Sequence, residues 1–359
     1  MKVLSLFDGM SCGQIALNKA GIKYEAYYAS EIDKYAIQVT QYNYPKTIQM
    51  GDIVKWGTWN IPWNEIDLII AGSPCQGFSF AGKQLNFDDP RSRLFFVFVD
   101  ILNHVKKANP NVKFLLENVK MKKEYENVIT ECLGINPVII NSSLVSAQNR
   151  VRLYWTNIGD IQQPIDKKIY LKDIIENGVV DRDKSFCVDA NYWKGGNLTS
   201  YFEKHRRQLV FNDKEENCVS IFADKSQCIL STIYKENAKS MIQRKKRGLV
   251  VLHTSERGRP LTPDGTIRDD VSGIVVRGYE VRPDGKTCAL TTVLKDNYIT
   301  ENYIIRKLTP IECERLQNVP DDFTSAVSST QRYKMLGNGW TVDVIKHIFE
   351  QGLIESTIG

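Results

Sequence analysis

The chain has 359 residues, a formal net charge of +5, 42% hydrophobic residues and 25% charged residues, the balance of a folded protein long enough for one large domain and a smaller one. No apolar run approaches the length of a bilayer span, and residues 1–7 turn polar too soon for a secretory leader, so the expectation is a cytoplasmic protein with no membrane partner. The eight cysteines are dispersed without a C-x-x-C pair and are joined by only four histidines, which argues against zinc modules and against a disulfide framework.

From the N-terminus to about residue 158, short apolar runs alternate with amphipathic stretches. Residues 3–7, 25–30, 67–71, 112–116, 137–140 and 151–156 read as strands. Residues 14–20 (closed by Gly21), 34–42, 94–107 and 122–133 carry helical spacing. Strand and helix in turn imply right-handed crossovers and a mostly parallel, doubly wound α/β domain, with ligands at the carboxyl ends of the strands.

Several strand ends carry residues that suit chemistry. The loop Phe7-Asp8-Gly9-Met10-Ser11-Cys12-Gly13 lies between a strand and a helix, the usual place for a nucleotide-bearing cofactor, yet it lacks the G-x-G-x-x-G spacing of a dinucleotide site. The next strand ends at Glu31, placed to accept hydrogen bonds from ribose hydroxyls, and Asp52 stands where the third strand should end, suited to an exocyclic amine. Either acid alone is more often a cap or a surface charge. Two acids at successive strand ends with no phosphate cradle favour an adenosine cofactor without phosphates, for which S-adenosyl-L-methionine is the candidate.

The fourth strand runs out into Gly72-Ser73-Pro74-Cys75-Gln76-Gly77-Phe78-Ser79. The proline stiffens the exit and the small residues leave the sulfur accessible, a setting for a nucleophile that a buried thiol does not need. Leu115-Leu116-Glu117-Asn118-Val119 ends another apolar strand with a carboxylate at the same edge, able to hold or share a proton. Gln148-Asn149-Arg150-Val151-Arg152 opens the next strand with two arginines on one face, which either bind an anion or carbonyl oxygen or pair with Glu117.

From about 162 to 303 the pattern changes to short β-type segments with many turn residues, the signature of a smaller, loop-rich domain. Its stretch 203–259 holds 13 Lys and Arg against 7 Asp and Glu, while the rest of the chain is close to neutral; this is the footprint of a polyanion binder. Three loose copies of a Lys-Ser/Thr start, a cysteine (Cys187, Cys228, Cys288) and a later lysine fit β-hairpins that face a phosphate backbone. The tail recovers helical character: Thr309-Pro310-Ile311-Glu312 caps a helix, Gly337-Asn338-Gly339 reads as a tight turn, and 341–349 reads as a helix that packs back on the first domain.

Taken together these residues resemble the cytosine-5 DNA methyltransferases, in wording of prokaryotic or phage type with touches of the vertebrate de novo enzymes. The likeness runs in order through Phe7-x-Gly9, Glu31, Asp52, Pro74-Cys75-Gln76, Arg93-Leu94-Phe95-Phe96, Glu117-Asn118-Val119, Gln148-x-Arg150-x-Arg152, Arg306-x-Leu308-Thr309-x-x-Glu312-x-x-Arg315-Leu316-Gln317 and Gly337-Asn338. The resemblance implies a Rossmann-like S-adenosylmethionine-dependent methyltransferase domain at 1–158, a target-recognition domain at 159–303, and a C-terminal segment, 304–359, that completes the catalytic domain. It implies that Cys75 attacks C6 of a flipped-out cytosine, that Glu117 holds N3, and that Arg152, aided by Arg150, orients the base. Phe7, Gly9, Glu31, Ile32, Asp52, Ile53, Pro74, Leu94 and Asn338 would line the site for S-adenosyl-L-methionine and its product S-adenosyl-L-homocysteine. No metal is expected. The implied partner is double-stranded DNA, bound by a monomer in a prokaryotic cell or phage-infected host, with a cognate restriction endonuclease where the role is restriction-linked.

Three departures stand out. Ser11-Cys12 occupies a place where the family usually has two glycines, Trp340 follows Gly339 where smaller residues are common, and the middle region has no readable target code. The tRNA-modifying branch of the superfamily shares these motifs, but its usual Cys-Phe-Thr signature is not evident near the end of this chain.

Overall fold

The computed structural model describes residues 1–73, 90–194, 201, 204–213, 253–259, 276–281, 298–299 and 303–353. Pro74, Cys75 and residues 76 to 89 lie outside the described residues, as do most of the basic stretch 203–259, including Arg244 to Arg247, and the copies around Cys228 and Cys288.

The chain divides into two compact units, one of residues 1–176, 182–209 and 307–359, the other of 177–181 and 210–306. The first unit is built on a seven-stranded sheet. Strands β1 (Lys2–Leu6), β2 (Ala26–Ser30), β3 (Ile48–Gln49), β4 (Ile66–Gly72), β5 (Lys113–Val119), β6 (Val138–Asn141) and β7 (Val151–Thr156) lie in the order β3-β2-β1-β4-β5-β7-β6. Pairings from β3 to β5 are parallel. The near-continuous apolar runs of β1, β4 and β5 belong to strands covered on both faces, and Leu4, Leu6, Ile69, Leu116 and Trp155 join Phe95, Phe98, Leu102 and Val105 in one core.

Helices α1 (Cys12–Lys19), α2 (Lys34–Asn43), α3 (Pro90–Ala108) and α4 (Lys123–Leu133) fill the connections. Local chemistry sets their ends. Asp33 caps α2 by accepting from the Tyr35 amide at 3.0 Å, and α4 stops at Gly134 in the left-handed region. In the tail, α5 (Pro310–Leu316) starts with the expected capping box, in which Thr309 Oγ1 accepts from the Glu312 amide at 3.2 Å and Glu312 Oε2 accepts from the Thr309 amide at 2.8 Å. Helix α7 (Val342–Glu350) buries Val342, Ile345, Ile348 and Phe349 and packs on α1, where Lys19 Nζ meets Asp343 Oδ1 at 2.7 Å.

One feature differs from the sequence reading, and a second is left open by it. Gly337 and Asn338 are not in a tight turn but form the last turn of a helix, α6 (Ser329–Asn338). Its polar surface hides the helical period, and Gly337 is there for space: a Cβ would come within 2.2 Å of the Asp189 carbonyl carbon and 2.3 Å of the Ala190 amide. The second is β7, which enters between β5 and β6 and runs antiparallel to both. Its beginning therefore lies at the carboxyl edge of the parallel strands, with Arg152 opposite Val119 and Tyr154 opposite Glu117.

In the second unit, β9 (His253–Arg259) pairs antiparallel with β10 (Val276–Val281) and β11 (Tyr298–Ile299), and β8 (Leu209–Asp213) pairs with β12 (Tyr303–Lys307).

Candidate active site

Between β1 and β4 the strand order reverses direction, and such switch points open crevices at the carboxyl edge. A cavity of about 440 Å³ lies at this edge. Of the residues singled out from sequence, Phe7, Gly9, Glu31, Ile32, Asp52, Ile53, Leu94, Glu117, Arg150, Arg152 and Asn338 all border it. Gly72 and Ser73, the last described residues before Pro74 and Cys75, border it too.

At one end stands Glu117, buried at the end of β5. Arg152 Nε lies 2.9 Å from its Oε1, so the pairing alternative for this arginine is realised. Trp340 Nε1 donates to Oε2 at 3.1 Å. Each carboxylate oxygen thus has its own donor, one from the reversed strand β7 and one from the tail of the chain. Asn118 Nδ2 donates to Ser73 Oγ at 3.1 Å, tying the end of β5 to the end of β4.

Arg150 has a different setting from Arg152. It is buried, and its Nη atoms donate to the carbonyls of Val188 (3.1 Å), Gly337 (3.2 Å) and Gly339 (2.8 Å). This guanidinium joins the end of α6 to the segment 187–188 and holds Asn338 at the cavity. Its Nη1 also lies 3.1 Å from Cys187 Sγ, and Arg152 Nη2 lies 3.9 Å from the same sulfur. Burial raises the pKa of the Cys187 thiol, but the two guanidiniums outweigh it and the net shift is downward.

At the other end Glu31 is fixed by three backbone amides. Oε2 accepts from Gly9 at 2.8 Å, and Oε1 accepts from Ile32 at 2.7 Å and Asp33 at 2.8 Å. Asp52 Oδ1 accepts from Val54 at 3.1 Å and caps the short 3₁₀ helix Ile53–Thr58. Asp52 therefore serves as a cap and Glu31 as an anchor for loop amides while both border the cavity, and both keep lone pairs for a ligand. Among the described residues, Lys334 is the one lysine at this end, and it is paired with Asp33 Oδ2 at 2.7 Å.

The first loop is held by a residue that the sequence reading passed over. Asp8 is buried; it accepts from Ser5 Oγ at 2.6 Å and Tyr27 OH at 2.8 Å on one oxygen and from Ser11 Oγ on the other. Burial pushes the Asp8 carboxyl up to about 6, against the pull of these three hydroxyls and with a small addition from the charge on Glu31. The network keeps Phe7, Gly9 and Ser11 in the left-handed region, at φ 58°, 58° and 61°. Ser11 thus adopts a backbone conformation that glycine takes freely, and its hydroxyl bond to Asp8 offsets the strain. Cys12 behaves as a core residue, its thiol pushed up to about 12 by burial.

Trp340 and Cys187 are the other contributors that sequence did not assign to the acid and arginine cluster. Trp340 was visible as a departure after Gly339; Cys187 reads in sequence only as part of the loose Lys-Ser/Thr echo facing a phosphate backbone, whereas it lies against Arg150 and Arg152.

The family model for C-5 cytosine-specific DNA methylase matches residues 1–353. The orphan methyltransferase M.SPRI of Bacillus phage SPR is 28% identical over 98% of this chain and 97% of its own length. The type II methyltransferase M.NlaIV of Neisseria lactamica is 26% identical over 98% of both chains. Among solved structures, a mutant of Spodoptera frugiperda DNMT2 aligns with a TM-score of 0.56 and 19% identity over 98% of this chain and 99% of its own, a likeness of fold.

Proposed function

The chain belongs to the family of C-5 cytosine-specific DNA methylases, and on that footing we propose that it transfers a methyl group from S-adenosyl-L-methionine to C5 of cytosine within a specific duplex sequence. The observation that carries this reading is one cavity holding two kinds of end: amide-fixed acids at β2 and β3, and the Glu117–Arg152 pair beside the strand that leads to Cys75.

The acidic end fits an adenosine cofactor. Glu31 and Asp52 offer acceptors to hydroxyl and amine hydrogens, while the only lysine there among the described residues is already paired, so the described donor set suits a nucleoside without phosphates. Phe7, Gly9, Glu31, Ile32, Asp52, Ile53, Leu94 and Asn338 would hold it, with Pro74 adjoining Cys75. When bound, S-adenosyl-L-methionine supplies an electrophilic methyl group, which calls for no metal.

The chain's own residues do the rest. Cytosine C5 is too weak a nucleophile unaided, so the Cys75 thiolate adds to C6 and turns the ring into an enamine. Glu117 holds N3, and Arg152, already fixed on Glu117, orients the base through O2. Arg150 supports this edge through its carbonyl contacts. After transfer, loss of the C5 proton expels Cys75. The ring atoms are out of reach in a stacked duplex, so the base must be swung out, and the segment from 76 to 91, whose last two residues open α3, closes over it.

Target recognition falls to the middle of the chain, 159–303, with the catalytic part formed by 1–158 and 304–359. The basic stretch 203–259 contacts phosphates, so affinity falls steeply with salt; charge reversal of Arg244 to Arg247 that left affinity and salt slope unchanged would sink this assignment. The enzyme acts as a monomer in the bacterial or phage-infected cytoplasm, paired with a cognate endonuclease where its role is restriction-linked.

The test is incubation with methyl-labelled S-adenosyl-L-methionine and mixed-sequence duplex DNA, with Cys75→Ser alongside, followed by bisulfite sequencing. Protected cytosines in one sequence context, lost in Cys75→Ser, are the expected result. Label in tRNA but not in DNA would refute the DNA substrate, and label in neither would refute the activity.

A further inference from the structure

We propose that Trp340 is a positioning residue for methyl transfer, whose indole N–H holds the Glu117 carboxylate in the orientation that receives the target base. This rests on the role given above to Glu117. The two residues are 223 positions apart, and Nε1 reaches Oε2 at 3.1 Å in a buried setting, where a hydrogen bond to a charged group is worth more than in water. Arg152 alone, at 2.9 Å from Oε1, would leave the carboxylate able to swing about its last torsion. A second donor on Oε2 removes that freedom. A carboxylate oxygen accepts more than one hydrogen bond, so Oε2 remains open to the base while the indole holds it.

The indole is itself held on two sides. Gly72 lies opposite Glu117 in the pairing of β4 with β5. A Cβ at Gly72 would stand 2.8 Å from Trp340 Nε1 and 3.3 Å from Cε2 and Cζ2, so the ring rests against bare backbone three residues before Cys75. On the other side, the Gly339 carbonyl accepts from Arg150 Nη2 at 2.8 Å, and the Trp340 carbonyl faces Cys12 Sγ at 3.8 Å. A small residue at 340 could fill neither role. Glycine at 72 and tryptophan at 340 are thus complementary halves of one contact, and that contact sets Glu117 beside the strand exit that carries the nucleophile.

A double-mutant cycle tests this, using Trp340→Phe, which keeps an aromatic ring against Gly72 but lacks the N–H, and Glu117→Gln. The readouts are the single-turnover methyl-transfer rate on duplex DNA and the affinity for S-adenosyl-L-homocysteine by calorimetry. Trp340→Phe is expected to slow transfer by about tenfold to a hundredfold, the loss typical of a hydrogen bond to a charged group. Homocysteine-product affinity should stay within about threefold of wild type, and in the Glu117→Gln background the same change should cost less than about threefold. Additive losses, or a loss confined to product affinity, would reduce Trp340 to packing and overturn the proposal. Wild-type rates in Glu117→Gln would overturn both this inference and the role of Glu117. Gly72→Ala, which pushes on the indole without removing it, should show the same coupling to Glu117→Gln and decides the matter if Trp340→Phe does not fold.

Discussion

Asp8→Asn removes a buried charge while keeping the shape of the side chain, and the structure sets how large the effect should be. Burial lifts the folded-state carboxyl to about 6 from an ordinary value of 3.8. A difference of about two pH units is worth about 3 kcal/mol. Because the folded protein holds this proton more tightly than the unfolded chain does, the stabilisation is complete below about pH 4 and is lost as pH rises through about 6. At neutral pH the wild type carries the full cost of an ionised group in the first loop. Asparagine does not titrate, so the stability of Asp8→Asn relative to wild type should rise by about 3 kcal/mol between about pH 4 and pH 7.5. For a unit of this size that is a change of about 6–12 °C in the difference between melting temperatures. The amide must donate where Ser11 Oγ now donates to Asp8, which costs some stability at every pH, so the slope against pH carries the test rather than the absolute offset. Scanning calorimetry of both proteins across this range is the assay. Parallel melting curves against pH would refute the claim that Asp8 is a strained buried carboxyl.

Arg152→Ala leaves Glu117 buried with a single donor, and uncompensated buried charges of this kind cost about 3–5 kcal/mol; melting temperature should drop and methyl transfer should fall more than about a hundredfold, whereas transfer within tenfold of wild type would separate the pair from catalysis. Gly337→Ala drives a Cβ into the backbone of Asp189 and Ala190, neither of which is a flexible side-chain end, so a loss of about 3 kcal/mol or more in thermal unfolding is expected and an unchanged melting temperature would contradict the packing. Cys187→Ser removes an ionisable group whose folded value is depressed by Arg150 and Arg152 against the effect of burial. The wild type's stability advantage over this variant should be greatest above about pH 9, the unfolded thiol range, and shrink as pH falls; an advantage independent of pH would show that the sulfur acts only through packing.

Local periodicity made much of the first unit legible. Most strands and helices up to residue 156 follow from apolar runs, caps and glycine stops, though the two-residue β3 is too short to show, and Glu31, Asp52 and Glu117 were visible because strand ends in such sheets gather at one edge. What sequence could not decide was which distant segments share that edge. The reversal of β7, which carries Arg150 and Arg152 to the carboxyl ends of β4 and β5, depends on sheet order rather than on the residues of β7. The helix ending at Asn338 hid behind a Gly-Asn-Gly sequence because its glycine answers to the backbone of Asp189. The partners of Glu117 come from residues 152 and 340, those of Arg150 from 187 to 188 and from 337 to 339, and the buried state of Asp8 from Tyr27 and Ser11 closing around it. Motif chemistry is encoded along the chain, so sequence alone determined the class of reaction. The hydrogen-bond partner and burial of each acid depend on contacts between residues far apart in the chain, and those only the folded structure decided.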